Sequence, residues 1–264
     1  MPLSFTESGP ISAPTLLFLH GGGVGGWMWR RHVAAFEADY HCLVPDLPEQ
    51  GQTANAADAG EFSMSAAVRA VAELIHTRAH EGKAHLVGLS LGAQVAAGVL
   101  AVAARLAERS LLTGALTQPL LGVGLVKPLM RAYAPFKNWE PLIRANFRQL
   151  GLPEEYYADF AADSRRTSAL ALGRILAANL SFRVPPGLTR LKTPVLVLVG
   201  EQEPRAMRRS ARELSASMLG GQALMVGGHG HNWPLTAPEL FQRTLRAWLN
   251  DEPLPGELLA VPRG

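Results

Sequence analysis

One cysteine, Cys42, is all the thiol chemistry this chain of 264 residues holds. A lone cysteine excludes an intrachain disulfide, and its place in an apolar run predicts a buried thiol. Charge is scarce as well. Asp, Glu, Lys and Arg make up 18% of the chain, and 25 basic residues against 22 acidic ones leave a formal net charge of +3. No basic block is long enough to follow a phosphate backbone, so no nucleic-acid partner is expected. Arg205, Arg208, Arg209 and Arg212 recur at helical spacing, which a solvated helix face explains at least as well as an anionic ligand. The start lacks the basic-then-apolar order of a secretion signal. Unbroken apolar runs of membrane length are missing too. Residues 84–104 carry no charge but are split by Gly, Ser and Gln, and residues 111–126 are broken by Pro119, Gly114, Gly122 and Gly124. There are no repeats and no low-complexity linker. A soluble cytoplasmic protein with no membrane partner is expected, and its 48% apolar content fits one domain of ordinary size.

What is present alternates. Thr15 to Leu19 is a continuous apolar run, as a parallel strand buried on both faces should be. A glycine loop, Gly21 to Gly26, follows it, then a helix from about Trp27 to Ala38. His41 to Val44 reads as a second strand. Ser63 or Ser65 can cap a helix carrying Val68, Val71, Leu74 and Ile75. Ala84 to Val87 is a strand, Ala93 to Leu106 a helix, and Ser110 to Leu116 a further strand. From about Thr117 to Pro186 the rhythm breaks into four amphipathic helices, near 123–134, 138–150, 153–163 and 167–179. It resumes with a strand at 194–199, a helix at 205–217, a strand at 223–226 and a helix at 238–249. Strands alternating with helices predict a mostly parallel sheet covered on both faces. The helical insert would then cap the carboxyl edge of that sheet. The Pro-rich tail from Asp251 is expected to be loosely held.

Chemistry centres on Gly88-Leu89-Ser90-Leu91-Gly92, a G-x-S-x-G placed between a strand and a helix. In that context the pattern is a nucleophile elbow, a sharp turn that holds the serine hydroxyl out at the sheet edge. Glycine at 88 and 92 removes the two β-carbons that would collide there. Without such a role the serine would merely cap the following helix. A serine nucleophile needs a base, and the base an orienting acid. Two loops leaving strand carboxyl ends offer them: Gly200-Glu201-Gln202-Glu203-Pro204, and Gly228-His229-Gly230-His231-Asn232-Trp233.

With His20-Gly21-Gly22-Gly23 ahead of them and Pro238-Glu-Leu-Phe241 behind, these motifs make the chain resemble the α/β-hydrolase superfamily over nearly its full length. The resemblance implies an α/β-hydrolase fold, with a mostly parallel central sheet flanked by helices and a helical cap inserted after the sixth strand. The expected division is a core of residues 1–117 and 187–250, a cap of 118–186 and a tail of 251–264. It also implies Ser90 as nucleophile, His231 as general base and Glu203 as acid, with the N–H groups of Gly22 and Leu91 as oxyanion hole. Most relatives carry Asp at the acid position, so Glu203 is a departure, and Glu201 is its alternative. His229 reads as a pocket or solvent residue. The expected reaction is hydrolysis of small to medium uncharged carboxylic esters through an acyl-enzyme. Trp27, Trp29, Met130, Trp139 and Trp233 are the candidate pocket lining.

Rival readings remain in view. The loop Gly21 to Gly26 also fits G-x-G-x-x-G, with Asp46 where a dinucleotide site would place its ribose-binding acid. Trp27 and Trp29 are too bulky for the helix such a site needs, and that reading leaves Ser90, Glu203 and His231 idle. His76 and His80 stand four apart on a helix but lack a third ligand, so no metal is assigned and no cofactor is expected. Lactonase, thioesterase, acyltransferase, cofactor-free haloperoxidase or C–C hydrolase chemistry could use the same triad. A non-enzymatic receptor of this fold is a further class, and homodimerisation stays open.

Overall fold

The computed structural model describes residues 2–55 and 60–262. In chain order the elements begin β1 (Phe5–Ser8), β2 (Thr15–Leu19), α1 (Arg30–Phe36), β3 (His41–Pro45), α2 (Met64–Arg78), β4 (Ala84–Leu89), α3 (Leu91–Ala103) and β5 (Ala107–Thr113). Four helices follow: α4 (Val126–Tyr133), α5 (Glu140–Leu150), α6 (Tyr157–Arg166) and α7 (Ala169–Ser181). The chain closes with β6 (Val195–Gly200), α8 (Arg205–Ala216), β7 (Gly221–Val226), α9 (Trp233–Thr236), α10 (Pro238–Leu249) and β8 (Leu258–Ala260).

The strands form one eight-stranded sheet in the order β1-β3-β2-β4-β5-β6-β7-β8. Its interior is parallel, and only the edge strands β1 and β8 run antiparallel. All five residues of β2 and all six of β6 are buried, which is why both read as unbroken apolar runs. Each of Leu16, Leu17, Phe18 and Leu19 is fully buried, worth about 1.5–3 kcal/mol apiece. One apolar cluster, including α2, α3 and α8, covers one face of the sheet; the other, including α1 and α10, covers the opposite face. From β2 the chain steps outward to β3, then crosses back over β2 to β4. Strand order therefore reverses between β2 and β4, the place where open α/β sheets leave a crevice at their carboxyl ends. The glycine loop and Ser90 flank that crevice.

Three expectations change. The insert leaves the sheet after the fifth strand, β5, and not after a sixth, because a single strand, β1, precedes β2. β5 ends at Thr113 rather than Leu116, since Gly114 takes φ +65° and turns the chain. The tail is not loose over its described part. β8 pairs with β7 through Val226 and Leu258, Arg109 bonds Asp251, and Arg243 bonds Glu257, while residues 263–264 lie outside the described residues. Short, half-exposed edge strands such as β1 and β8 carry little apolar pattern, so neither is visible in the sequence. Ser63, not Ser65, caps α2, accepting from the N–H of Ala66. Among the described residues no helix is long and apolar enough to cross a membrane.

A buried histidine ties α1 to α9, which follows the turn carrying His231. His32 is 1% exposed, donates from Nε2 to the carbonyl of Pro234 at 3.0 Å, and packs against Trp29 and Phe241. Burial pushes its pKa down to about 4, so the ring is held neutral. A depressed folded-state pKa gives stability that is complete above the ordinary value near 6.5 and drains away as pH falls toward 4. That shift corresponds to about 3 kcal/mol over the window. His32→Leu is expected to be less stable at neutral pH, yet to lose less stability between pH 7 and 4 than the wild type. Urea midpoints at the two pH values test this, and parallel losses in the two proteins would exclude His32 as the titrating group.

Candidate active site

Ser90 stands at the junction of β4 and α3 with φ 57° and ψ −116°. Positive φ is costly for any residue with a β-carbon, so the surroundings must hold it there. They do. The Ser90 N–H donates to the carbonyl of Thr113 on neighbouring β5 at 2.8 Å, and its carbonyl accepts from Gln94 in the first turn of α3. The flanking glycines are required by space. A β-carbon on Gly88 would come within 2.7 Å of the backbone of Gly92, and one on Gly92 within 2.1 Å of the Leu19 carbonyl oxygen.

Glu203 and His231 arrive on the turns after β6 and β7. Glu203 is 5% exposed, and both of its carboxylate oxygens are used. Oε1 accepts from the N–H of Gly200 at 2.9 Å, and Oε2 accepts from His231 Nδ1 at 2.7 Å. With its Nδ1 proton so engaged, the imidazole presents a free lone pair at Nε2. The ring lies over Gly114, where a β-carbon would be 2.7 Å from His231 Cε1. Gly114 directly follows Thr113, whose carbonyl holds Ser90, so the glycine clears the room that brings the ring to the serine. The alternative acid, Glu201, is spent elsewhere: its Oε2 accepts from the N–H of Gly228 at 2.7 Å. His229 contributes its carbonyl to the N–H of Gln202, and its ring lines neither cavity beside Ser90.

Two cavities meet at Ser90 and His231. The larger, about 390 Å³, is lined by Gly114, Leu116, Asn179, Gln202, Pro204 and Met207. The smaller, about 170 Å³, is lined by Val24, Trp27, Met28, Leu150, Leu152 and Leu235, with Gly21 and Gly22 at its wall. Asn179 and Leu150 belong to the helical insert, which therefore walls both.

The glycine loop is tied down from below. Gln50, fully buried, accepts from the N–H of Gly23 at 2.7 Å, and Asp46 accepts from Gly26 and Gln52 at 2.7 Å each. Trp27 Nε1 donates to Asp163 of α6 at 2.7 Å. Burial raises the Asp163 pKa, and the Trp27 bond opposes that rise. Buried His20 donates from Nδ1 to Gly21 and accepts from Leu47 at Nε2, and burial lowers its pKa, so it too is neutral. A β-carbon on Gly22 would lie 3.7 Å from the Leu91 side chain. Gly22 and Leu91 are thus neighbours, and no acceptor for either N–H is found among the described residues. With one Asp46 oxygen held by the glycine loop and the other by the Gln52 N–H, the dinucleotide reading loses its ribose ligand.

Of the five candidate pocket residues only Trp27 reaches a cavity beside Ser90. Trp29 is fully buried in the core against Phe18 and Phe241. Trp233 is likewise core, its Nε1 donating to Thr113 at 2.8 Å. Met130 is buried in the insert, packed on Gly173 of α7, and Trp139 is 61% exposed on the outer surface. Bulk and apolarity do not say which side of a helix a residue takes. Sequence reasoning missed Gln50, Gly114, Asp163 and Asn179. A glycine inside the expected strand 110–116 was the one available signal, for Gly114. Asp163 meets Trp27 across 136 positions, a separation that no local pattern reveals.

Comparison with known proteins agrees with the fold. (E)-2-((N-methylformamido)methylene)succinate hydrolase of Acinetobacter baylyi is 26% identical over 255 residues, covering 90% of this chain and 91% of its own. Among solved structures, a carboxylesterase from Nitrososphaera gargenis superposes with a TM-score of 0.77 at 15% identity, covering 94% of each chain. The enol-lactonase from Burkholderia xenovorans gives 0.75 at 21% identity, covering 94% of this chain and 96% of its own. The profile of the alpha/beta hydrolase family matches residues 16–243. A match of that span, on a sheet ordered as found here, means that the chain belongs to the alpha/beta hydrolase family.

Proposed function

We propose that the protein is a serine hydrolase that cleaves small to medium uncharged carboxylic esters through an acyl-enzyme on Ser90. The observation that carries this reading is the 2.7 Å bond from His231 Nδ1 to buried Glu203, beside a serine held at positive φ. In the proposed cycle Ser90 Oγ attacks the ester carbonyl as its proton passes to His231 Nε2. Glu203 stabilises the imidazolium, and the N–H groups of Gly22 and Leu91 receive the oxyanion. Collapse of the tetrahedral intermediate expels the alkoxide, which takes the proton from His231. Water, deprotonated by His231, then attacks the acyl carbon; the bond to Ser90 Oγ breaks, the acid leaves and Oγ takes the proton back from His231. The insert serves as the cap that shapes the substrate space. Preference for uncharged substrates is supported by the lining, which offers no Lys or Arg among the described residues to pair a carboxylate.

A p-nitrophenyl ester series tests the proposal together with intact mass after fluorophosphonate treatment. A burst of one p-nitrophenol per chain and a single covalent adduct on Ser90 are expected. Absence of both burst and adduct would sink the proposal, and a ligand that binds stoichiometrically without being consumed would favour a receptor.

A further inference from the structure

One side chain stands between two cavities. Trp27 lines the cavity of about 170 Å³ beside Ser90, and it also lines a separate cavity of about 490 Å³ that neither Ser90 nor His231 reaches. Among the described residues no other side chain lines both. The outer cavity has Phe5, Val33, Val44 and Ala162 in its wall together with Arg30 and Arg166. The indole between them is held in place. It is half-buried, its Nε1 donates to Asp163 of α6 at 2.7 Å, and its ring lies against Tyr156 with centroids 5.6 Å apart. Asp163 is itself held by Arg166, and the Arg30 guanidinium stands over the Tyr156 ring at 4.7 Å. Gly25 permits the approach: a β-carbon there would come within 2.6 Å of the Asp163 carboxylate and 3.2 Å of the indole. The core thus supplies the tryptophan, and the insert fixes where its ring stands.

Polarity separates the two spaces that meet at Ser90. Apart from Ser90, His231 and Asn232, every side chain in the wall of the smaller one is apolar. Gly22, the proposed oxyanion donor, stands in that same wall. A chain on the carbonyl carbon can therefore enter there while the carbonyl oxygen meets its donors. The 390 Å³ cavity is the more polar, with Asn179 and Gln202 in its wall, and suits the leaving alcohol and the incoming water. A cavity of about 150 Å³ holds a six-carbon ring, which sets the scale for the smaller one.

We infer that Trp27 closes the acyl site and restricts it to acyl groups of about six carbons, with Asp163 positioning the indole. This rests on the ester-hydrolase reading above and narrows its substrate class. Behind Trp27 the outer cavity offers room for a longer chain once the indole is removed. Trp27 is thereby the specificity-determining residue of the site.

Hydrolysis of p-nitrophenyl esters from acetate to decanoate tests this. In wild type, kcat/KM is expected to rise as far as hexanoate and to fall beyond it. In Trp27→Ala the rise should continue, since each further buried methylene is worth about fourfold. The decanoate-to-hexanoate ratio should then grow on the order of 100-fold over wild type. That ratio compares chain lengths within one protein, so a general loss of activity does not move it. Leu152→Phe, which fills the site from the insert and keeps the tryptophan, should shift the optimum down to butanoate. Asp163→Leu removes the indole's acceptor and should raise the ratio, whereas Asp163→Asn keeps an acceptor and should stay near wild type. A purely structural role for Asp163 would lower all chain lengths alike.

Calorimetric binding of 2-alkanones, which keep the carbonyl and the chain without a leaving group, repeats the comparison without turnover. Wild type should bind 2-heptanone more tightly than 2-undecanone, and Trp27→Ala should reverse the order. If that reversal appears while no ester is hydrolysed, the ester reading fails and the boundary at Trp27 stands. The same length limit in both proteins by both readouts would overturn the inference. So would a shift confined to the alcohol in a series of alkyl butanoates.

Discussion

Ser90→Ala is expected to lower kcat on a p-nitrophenyl ester by about a millionfold while leaving the protein folded. Removal of a nucleophile costs about as much as removal of its base, because the two act as one unit. Alanine retains the β-carbon, so the backbone at φ 57° stays as strained as before and the loss belongs to chemistry. Ser90→Gly removes that strain as well as the hydroxyl. It should be as inactive as the alanine variant and more stable than it by about 1 kcal/mol, read as a higher melting temperature. Residual activity within a hundredfold of wild type in either variant would mean that ester turnover runs through another group.

Glu203→Gln should cost about 10⁴-fold in kcat with little change in the fold. The carboxylate supplies two acceptors, one for the Gly200 N–H and one for the His231 Nδ1–H. An amide has only one acceptor oxygen. If that oxygen faces His231, the amide NH₂ opposes the Gly200 N–H in a buried site, a clash of donors. If it faces Gly200, the NH₂ opposes Nδ1 and drives the ring proton to Nε2, where the imidazole can no longer accept from the serine. Glu203→Asp keeps both acceptors but withdraws them by one methylene, so it should lose less. Michaelis–Menten kinetics on one ester for the three proteins tests this ordering. A loss under tenfold for the glutamine variant would remove Glu203 from the acid role, since Glu201 is bound to Gly228 and cannot replace it without moving.

Much of this was legible locally. The alternation of buried runs with amphipathic stretches follows from backbone geometry and burial, so the interior strands and most helices could be placed from spacing alone. G-x-S-x-G between a strand and a helix identifies the elbow because the two missing β-carbons are a local steric need. The edge strands were not legible. Strand β1 pairs only with β3 and strand β8 only with β7, leaving both too exposed to bear a buried pattern. The pocket was misjudged for a related reason: Trp29 and Trp233 are as apolar as Trp27, and only packing decides that the first two fill the core.

By itself, the sequence determined the fold class, through the alternation of strands and helices along the chain, and the position of the strained serine and of the two turns that carry Glu203 and His231, because each of these depends on residues within a few positions of one another. Tertiary structure alone decided which glutamate meets the imidazole. It also decided that Gly114 clears the space for that ring and that Asp163 reaches Trp27 across 136 positions. Those contacts join strands and helices that are distant in the chain, and which side chains meet is set only when the sheet order and the placement of the insert are complete.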